Sequence, residues 1–284
     1  MNSLKEPESN QIQIQSKQKV IIFLHIPKAG GTTLNGVINQ QYRRKQIYRF
    51  NGINSRDKIG KLSQSRRAQL KLIRGHFAFG LHKYLSCEST YFTMLRDPVK
   101  REISNYHYLR RSSGLKGHAV VKQQSLEEYI LSTKGNLQTR LLFGLSDVKP
   151  KNDRERVDVA KQNLDRYFSV TGIVERFDES LILIQEAFGW RTPIYVKQNV
   201  TKPRQQEDTL LSPETLALIQ EHNAMDIELY DYVVQKFNQE VAELGTRLEA
   251  LLKAQQRKNR LYQPLGRTYS LSRHLVLKHL LKQY

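Results

Sequence analysis

The run His25-Ile26-Pro27-Lys28-Ala29-Gly30-Gly31-Thr32-Thr33 carries more potential chemistry than any other stretch of the chain. Two adjacent glycines let the backbone approach an anion closely. The free N–H groups of a helix that starts there, together with its dipole, then bind that anion. Lys28 adds a point charge, and Thr32 and Thr33 add hydroxyl donors. The run is not a Walker A loop, which places its lysine after the last glycine and directly before Ser or Thr. Here Lys28 precedes both glycines and Thr32 follows them. The bland alternative is an ordinary glycine-containing turn between a strand and a helix.

A second constellation is Leu95-Arg96-Asp97-Pro98-Val99-Lys100-Arg101-Glu102-Ile103-Ser104. Arg96 is expected at the C-terminal end of a strand, where open α/β sheets bind ligands. Asp97 suits a helix N-cap and Pro98 its first position. Ser104 then falls about two turns into that helix, on the face of Arg101 at three-residue spacing. A guanidinium and a hydroxyl there could share one phosphate. The alternative is that Arg96 pairs with a carboxylate and Ser104 is simply helical. For proton transfer the chain offers eight histidines, the side chain whose ordinary pKa lies nearest neutrality.

These groups need a scaffold. Val20–Leu24 is β-branched-rich and apolar on both faces, as a buried parallel strand would be. A helix is expected over Thr32–Tyr42, with Leu34, Val37 and Ile38 on one face. Further strands are expected at Leu72–His76, Tyr91–Leu95 and Phe168–Val174. Helices are expected from Pro98 to about Arg111, then at Ser125–Leu131, Asn152–Tyr167 and Asp178–Phe188, from Ser212-Pro213, and over Asn223–Leu244. Ser112–Gln124 reads as a loop. Strand, glycine-rich turn and helix open a nucleotide-binding sheet. The fold class expected is therefore α/β, a P-loop NTPase-like three-layer fold with a central, mainly parallel sheet flanked by helices.

Composition narrows the class. The 284 residues are 39% apolar, with 10 Phe and 14 Tyr, enough for a sizeable core. A single cysteine, Cys87, excludes an intramolecular disulfide and any Cys-based zinc cluster. The net charge of +19 is concentrated in residues 42–111, with 17 basic and 4 acidic side chains, and in residues 251–284, with 8 basic and no acidic ones. Anionic partners follow from that. Three segments are expected: a polar leader over 1–19, a catalytic domain over 20–249 and a basic helical tail over 250–284. The tail's stripe of Val276, Leu277, Leu280, Leu281 and Tyr284 allows peripheral contact with an anionic membrane surface, though docking on a protein is the preferred reading. No apolar run is long enough to span a bilayer, and a cytoplasmic location is expected.

With both constellations in view, the chain resembles sulfotransferases that use 3′-phosphoadenosine 5′-phosphosulfate (PAPS). More narrowly, it resembles the family that includes the heparan sulfate 2-O- and 6-O-sulfotransferases and bacterial relatives. That family's 5′-phosphosulfate loop matches Pro27–Thr33, and its 3′-phosphate motif matches Arg96 through Ser104. Weaker matches follow in order at Arg74-Gly75-His76-Phe77, Asn136–Arg140, Glu175–Leu181 and Asn223–Tyr230. The resemblance runs from about Val20 to Val241.

The resemblance implies transfer of a sulfuryl group from PAPS to a hydroxyl of a carbohydrate-type acceptor, without a metal. Lys28 would stabilise the bridging and sulfuryl oxygens. The backbone and hydroxyls of Lys28, Ala29, Gly30, Gly31, Thr32 and Thr33 would hold the 5′-phosphate, and Arg96 with Ser104 the 3′-phosphate. His76 matches the family's base, with His82 as runner-up and His25 supporting the loop. Asn136, Gln138 and Arg140 brace the site or face the acceptor, Glu175 and Arg176 form an ion pair, and Lys197–Arg204 could cover the nucleotide. Two rivals stand beside this: a P-loop kinase or NTPase using ATP and magnesium, and a non-enzymatic polyanion binder. No recognised nucleic-acid module supports the last.

Overall fold

A computed structural model of the 284-residue chain describes residues 19–50, 59, 61–115, 117–144, 150–195 and 211–262. Strands β1 (Val20–Leu24), β2 (Ile47–Phe50), β3 (Leu72–Gly75), β4 (Ser89–Leu95) and β5 (Phe168–Ile173) form one sheet in the order β2-β3-β1-β4-β5. Every neighbouring pair is parallel. Ile22, Phe23 and Leu24 are buried in succession, as are Tyr91, Phe92, Thr93, Met94 and Leu95. Unbroken burial of this kind requires helices over both faces of the sheet, which is the three-layer α/β arrangement expected.

β1 lies at the centre. From it the chain builds β2 and β3 on one side, then crosses to β4 and β5 on the other. The loop after β1 and the end of β4 therefore open onto the switch point of the sheet, where ligands of such folds bind.

The helices are α1 (Gly31–Gln41), α2 (Gln64–Ala68), α3 (Pro98–Arg111), α4 (His118–Val121), α5 (Leu126–Ser132), α6 (Leu137–Phe143), α7 (Asp153–Tyr167), α8 (Phe177–Phe188), α9 (Pro213–His222) and α10 (Ala224–Glu243). A further helix runs over 246–262. Their starts follow local chemistry. Asp97 accepts from the Lys100 N–H at 2.8 Å, Ser125 from Glu128 at 3.1 Å and Asn152 from Glu155 at 2.8 Å.

Three elements depart from expectation. The segment read as a loop contains α4, because Val121 is buried with Tyr106, Tyr129, Ile130 and Ile219 in a second apolar cluster. Edge strand β2 has only four residues and lies within the most basic stretch, so its sequence gives little alternation to read. The helix over 246–262 crosses the boundary expected at residue 250, with Gln255 fully buried and Asn259 Oδ1 accepting from the Tyr195 N–H at 2.8 Å.

One buried carboxylate ties the helical layer to the sheet. Asp226, from α10, is fully buried and accepts from the N–H groups of Gln138 (3.0 Å) and Thr139 (2.7 Å) and from the Thr139 hydroxyl (2.8 Å). It thereby satisfies the exposed donors of the first turn of α6. Burial pushes its pKa up, opposed by those bonds and by Arg101.

Asp226→Ala leaves three donors without their acceptor. It should cost about 3 kcal/mol or more, read as a lower urea midpoint. A loss under about 0.5 kcal/mol would show that the network carries no stability.

A second prediction concerns His25, which follows β1. Its ring stacks on Phe23 (centroids 5.3 Å apart) and lies 4.2 Å from the ring of His76. Burial, reinforced by His76, Arg74 and Lys28, lowers its pKa from 6.5 to about 3. The native imidazole stays neutral where the unfolded one takes a proton. Its contribution to stability is therefore full above pH 6.5 and declines as the pH falls toward 3, by up to about 1.4 kcal/mol per pH unit. Urea unfolding at pH 7 and pH 5 should differ more in the wild type than in His25→Gln. Equal differences would remove His25 as the cause.

Candidate active site

The turn after β1 is shaped by backbone conformation and by what packs beneath it. Lys28 and Gly30 both adopt left-handed conformations, with φ of 67° and 70°. Gly30 is the N-cap of α1 and provides no side-chain cap, so the first-turn N–H groups face the open end of the loop. Gly31 is fixed by close approach: a Cβ there would lie 1.6 Å from His25 Nε2. A Cβ on Gly30 would lie 3.1 Å from the Phe177 ring. Ala29 is fully buried and its N–H is spent on the Ile26 carbonyl at 3.3 Å. Thr32 is exposed and Thr33 half-buried at the start of α1.

The end of β4 meets this loop directly. The Arg96 Nη1 donates to the Lys28 carbonyl at 3.2 Å, and its Nε is buried without a partner. The Arg96 backbone is held on both sides by one side chain. Gln138 Oε1 accepts from the Arg96 N–H at 3.1 Å, and Gln138 Nε2 donates to the Arg96 carbonyl at 2.8 Å. Burial lowers the Arg96 pKa, with Glu175 and Asp97 opposing.

Ser104 is half-buried on α3. One turn beyond it, the Tyr108 ring lies 3.9 Å from the Lys28 ammonium, so the cation of the loop rests on the helix that carries Ser104. Burial lowers the Lys28 pKa, and the positive charges of Arg111 and Arg96 lower it further.

The third component arrives from β3. Arg74 is buried and donates to the Asn35 carbonyl (3.0 Å) and Asn39 Oδ1 (2.9 Å), pinning α1 to the sheet. Two residues on, His76 is exposed and its Nδ1 lies 2.8 Å from the His25 carbonyl oxygen. A carbonyl only accepts, so Nδ1 carries the proton and the Nε2 lone pair is left for chemistry. Lys28, His76 and Arg96 are thus joined through backbone atoms of one loop.

Several sequence expectations are corrected. Arg101 does not share an anion with Ser104: it is 1% exposed and forms an ion pair with Glu102. Glu175 does not pair with Arg176. It accepts from the Asp97 N–H (3.2 Å) and the Tyr230 hydroxyl (2.7 Å), while Arg176 bonds Glu179 and Asn238. His82 is packed on Tyr167 with ring centroids 4.7 Å apart, and its Nδ1 lies 3.0 Å from the Tyr91 hydroxyl, a structural setting rather than a base's.

Asn136 braces: its N–H donates to Asn223 Oδ1, and its Oδ1 accepts from the Asp226 N–H. Gln138 also braces, through the Arg96 backbone, whereas Tyr108 was not foreseen, since no spacing rule links it to the loop. Lys197–Arg204 and the apolar stripe of the tail lie outside the described residues. Among the described residues, no helix is long and apolar enough to cross a membrane. No group of three or more His, Cys, Asp or Glu side chains could hold a metal ion there.

A model of the galactose-3-O-sulfotransferase family matches residues 7–263. Heparan-sulfate 6-O-sulfotransferase 2 of Gallus gallus is 24% identical over 275 residues, covering 78% of this chain and 67% of that protein. Galactose-3-O-sulfotransferase 3 of Mus musculus is 25% identical over 193 residues, covering 61% of this chain and 44% of that protein. Heparan sulfate 2-O-sulfotransferase 1 of Homo sapiens is 21% identical over 271 residues, covering 83% and 75%. The solved structure of a mouse sulfotransferase, SULT7A1, complexed with PAP aligns with a TM-score of 0.37 and 16% identity, over 68% of this chain and 63% of that one. With the family model spanning the whole sheet and the loop built on it, the chain belongs to the galactose-3-O-sulfotransferase family and is a carbohydrate-type sulfotransferase.

Proposed function

We propose that the protein moves the sulfuryl group of PAPS to a hydroxyl of a glycan, with the site formed by Lys28, His76, Arg96, Ser104 and the loop through Thr33. The observation that carries this reading is the 2.8 Å contact from His76 Nδ1 to the His25 carbonyl, which leaves Nε2 free as a base beside the anion loop. A kinase reading gains no comparable support, because Lys28 stands before both glycines rather than after them.

The residues fit the donor. The uncapped start of α1 offers N–H groups and a positive dipole end to a 5′-phosphosulfate. The buried, unpartnered Nε of Arg96 is a donor awaiting an acceptor, in keeping with a 3′-phosphate shared with Ser104. PAPS supplies a sulfur already bonded to a good phosphate leaving group. In the transfer the S–O bond to phosphate breaks and a new S–O bond forms to the acceptor oxygen. His76 Nε2 takes the acceptor's proton, and the electron pair of the broken bond leaves on the phosphate of PAP. Lys28 offsets charge building on the bridging oxygen, with its ammonium held at the mouth of the loop by Tyr108.

Transfer of labelled sulfate from PAPS to a glycan panel tests this. His76→Ala should lower kcat by about 10²–10⁴-fold while leaving PAP affinity close to wild type. Near-wild-type turnover would remove His76 as the base. PAP and PAPS should raise the melting temperature more than ATP with magnesium, and stabilisation by ATP–magnesium alone would defeat the assignment of donor. Gln138→Ala should weaken PAP binding without touching the acceptor KM, because it frees the Arg96 backbone.

A further inference from the structure

A cavity of about 110 Å³ lies between α3, α5 and α6. It is lined by Arg101, Glu102 and Asn105 of α3, Tyr129 and Thr133 at α5, and Lys134, Gly135, Leu137 and Arg140 leading into α6. None of these residues belongs to the loop from Lys28 to Thr33, and neither Arg96 nor Ser104 lines it.

The charge inside is out of balance. Arg101 is 1% exposed, yet only its Nη2 is engaged, by Glu102; its Nε and Nη1 are buried without partners. The Nε of Arg140 is also buried and unpartnered. Lys134 adds a third cation at the rim, where it is exposed. Against these stands Glu102, whose pKa burial raises, with Arg101 opposing. Asp226 adds a second negative charge that acts on Arg101 and Arg140, but its oxygens bond Gln138 and Thr139 rather than either guanidinium, so three cations face two carboxylates. Buried guanidinium donors left without an acceptor are costly, and an arginine fork is shaped to meet an oxyanion.

Size limits the occupant. The cavity is well below the roughly 300 Å³ at which sites for drug-sized ligands begin. It has room for one small group and not for a nucleotide or a sugar ring.

We infer that this cavity is a second oxyanion site, taking a single sulfate, phosphate or carboxylate group between α3 and α6. Its position gives it a link to the nucleotide motif: α6 carries Gln138, which clamps the Arg96 backbone, and α3 carries Ser104.

The test is thermal unfolding of the full chain in sodium sulfate, phosphate or acetate against sodium chloride at matched ionic strength, with saturating PAP and without it. One of the three oxyanions should stabilise beyond chloride, rising with concentration as RT ln(1 + [anion]/Kd), whether or not PAP is present. Arg140→Gln should weaken that apparent affinity about tenfold or more, the loss of a charge-assisted bond. Lys134→Ala, an exposed and structurally safe change, should weaken it about two- to five-fold; if Arg140→Gln fails to fold, Lys134→Ala decides. A preference for sulfate or phosphate marks a tetrahedral group and a preference for acetate a carboxylate, and both support the site. The proposal is overturned if no oxyanion exceeds chloride, if PAP abolishes the effect, or if the effect is unchanged in the folded variants.

Discussion

Asp226 is the group on which the placement of the site depends. Its carboxylate binds the first-turn donors of α6, which fixes the start of that helix. Gln138, in that first turn, then grips the Arg96 backbone by both its N–H and its carbonyl. The path runs from one buried charge on α10, through one helix N-terminus, to the end of β4. A buried carboxylate is retained at a desolvation cost only where it makes enough bonds, and here three donors converge on it. Asn136 and Asn223 close the same knot from the backbone side.

The loop is held on its other side by aromatic packing. Phe23 stacks on Phe92 across the sheet, His25 on Phe23, and His76 leans on His25. His25 has two roles: its ring fills the space a side chain at Gly31 would need, and its carbonyl sets the tautomer of His76. A neutral His25 suits both. A cation at that position would face Lys28, Arg74 and His76 in a half-buried setting.

Cation placement also divides the basic block into distinct tasks. Arg74 is structural, pinning α1 to β3. Arg96 reaches the loop. Arg101, three residues before Ser104 and on the expected face, turns inward to Glu102. Spacing along a helix puts two residues on one side but does not say whether that side meets ligand or protein. Burial takes Arg101 away from Ser104, toward Glu102 and the cavity between α3 and α6.

The chain alone carried the strand–turn–helix opening, the Asp97-Pro98 start of α3 and the parallel character of the sheet, and it marked the two segments expected to bind anions. Each of these is written in local chemistry: β-branched runs, paired glycines, a cap residue followed by proline. It also singled out His76, though through resemblance rather than spacing. Contacts between residues far apart in the chain came from the folded molecule: Gln138 on Arg96, Asp226 on Thr139, Tyr108 beneath Lys28, Glu175 on Asp97. The same holds for the tautomer of His76, which depends on a carbonyl 51 residues away. Local pattern fixes backbone conformation because the energies involved act within a few residues. The partner of a buried polar group is fixed by which helices pack together, and no periodicity in the chain records that.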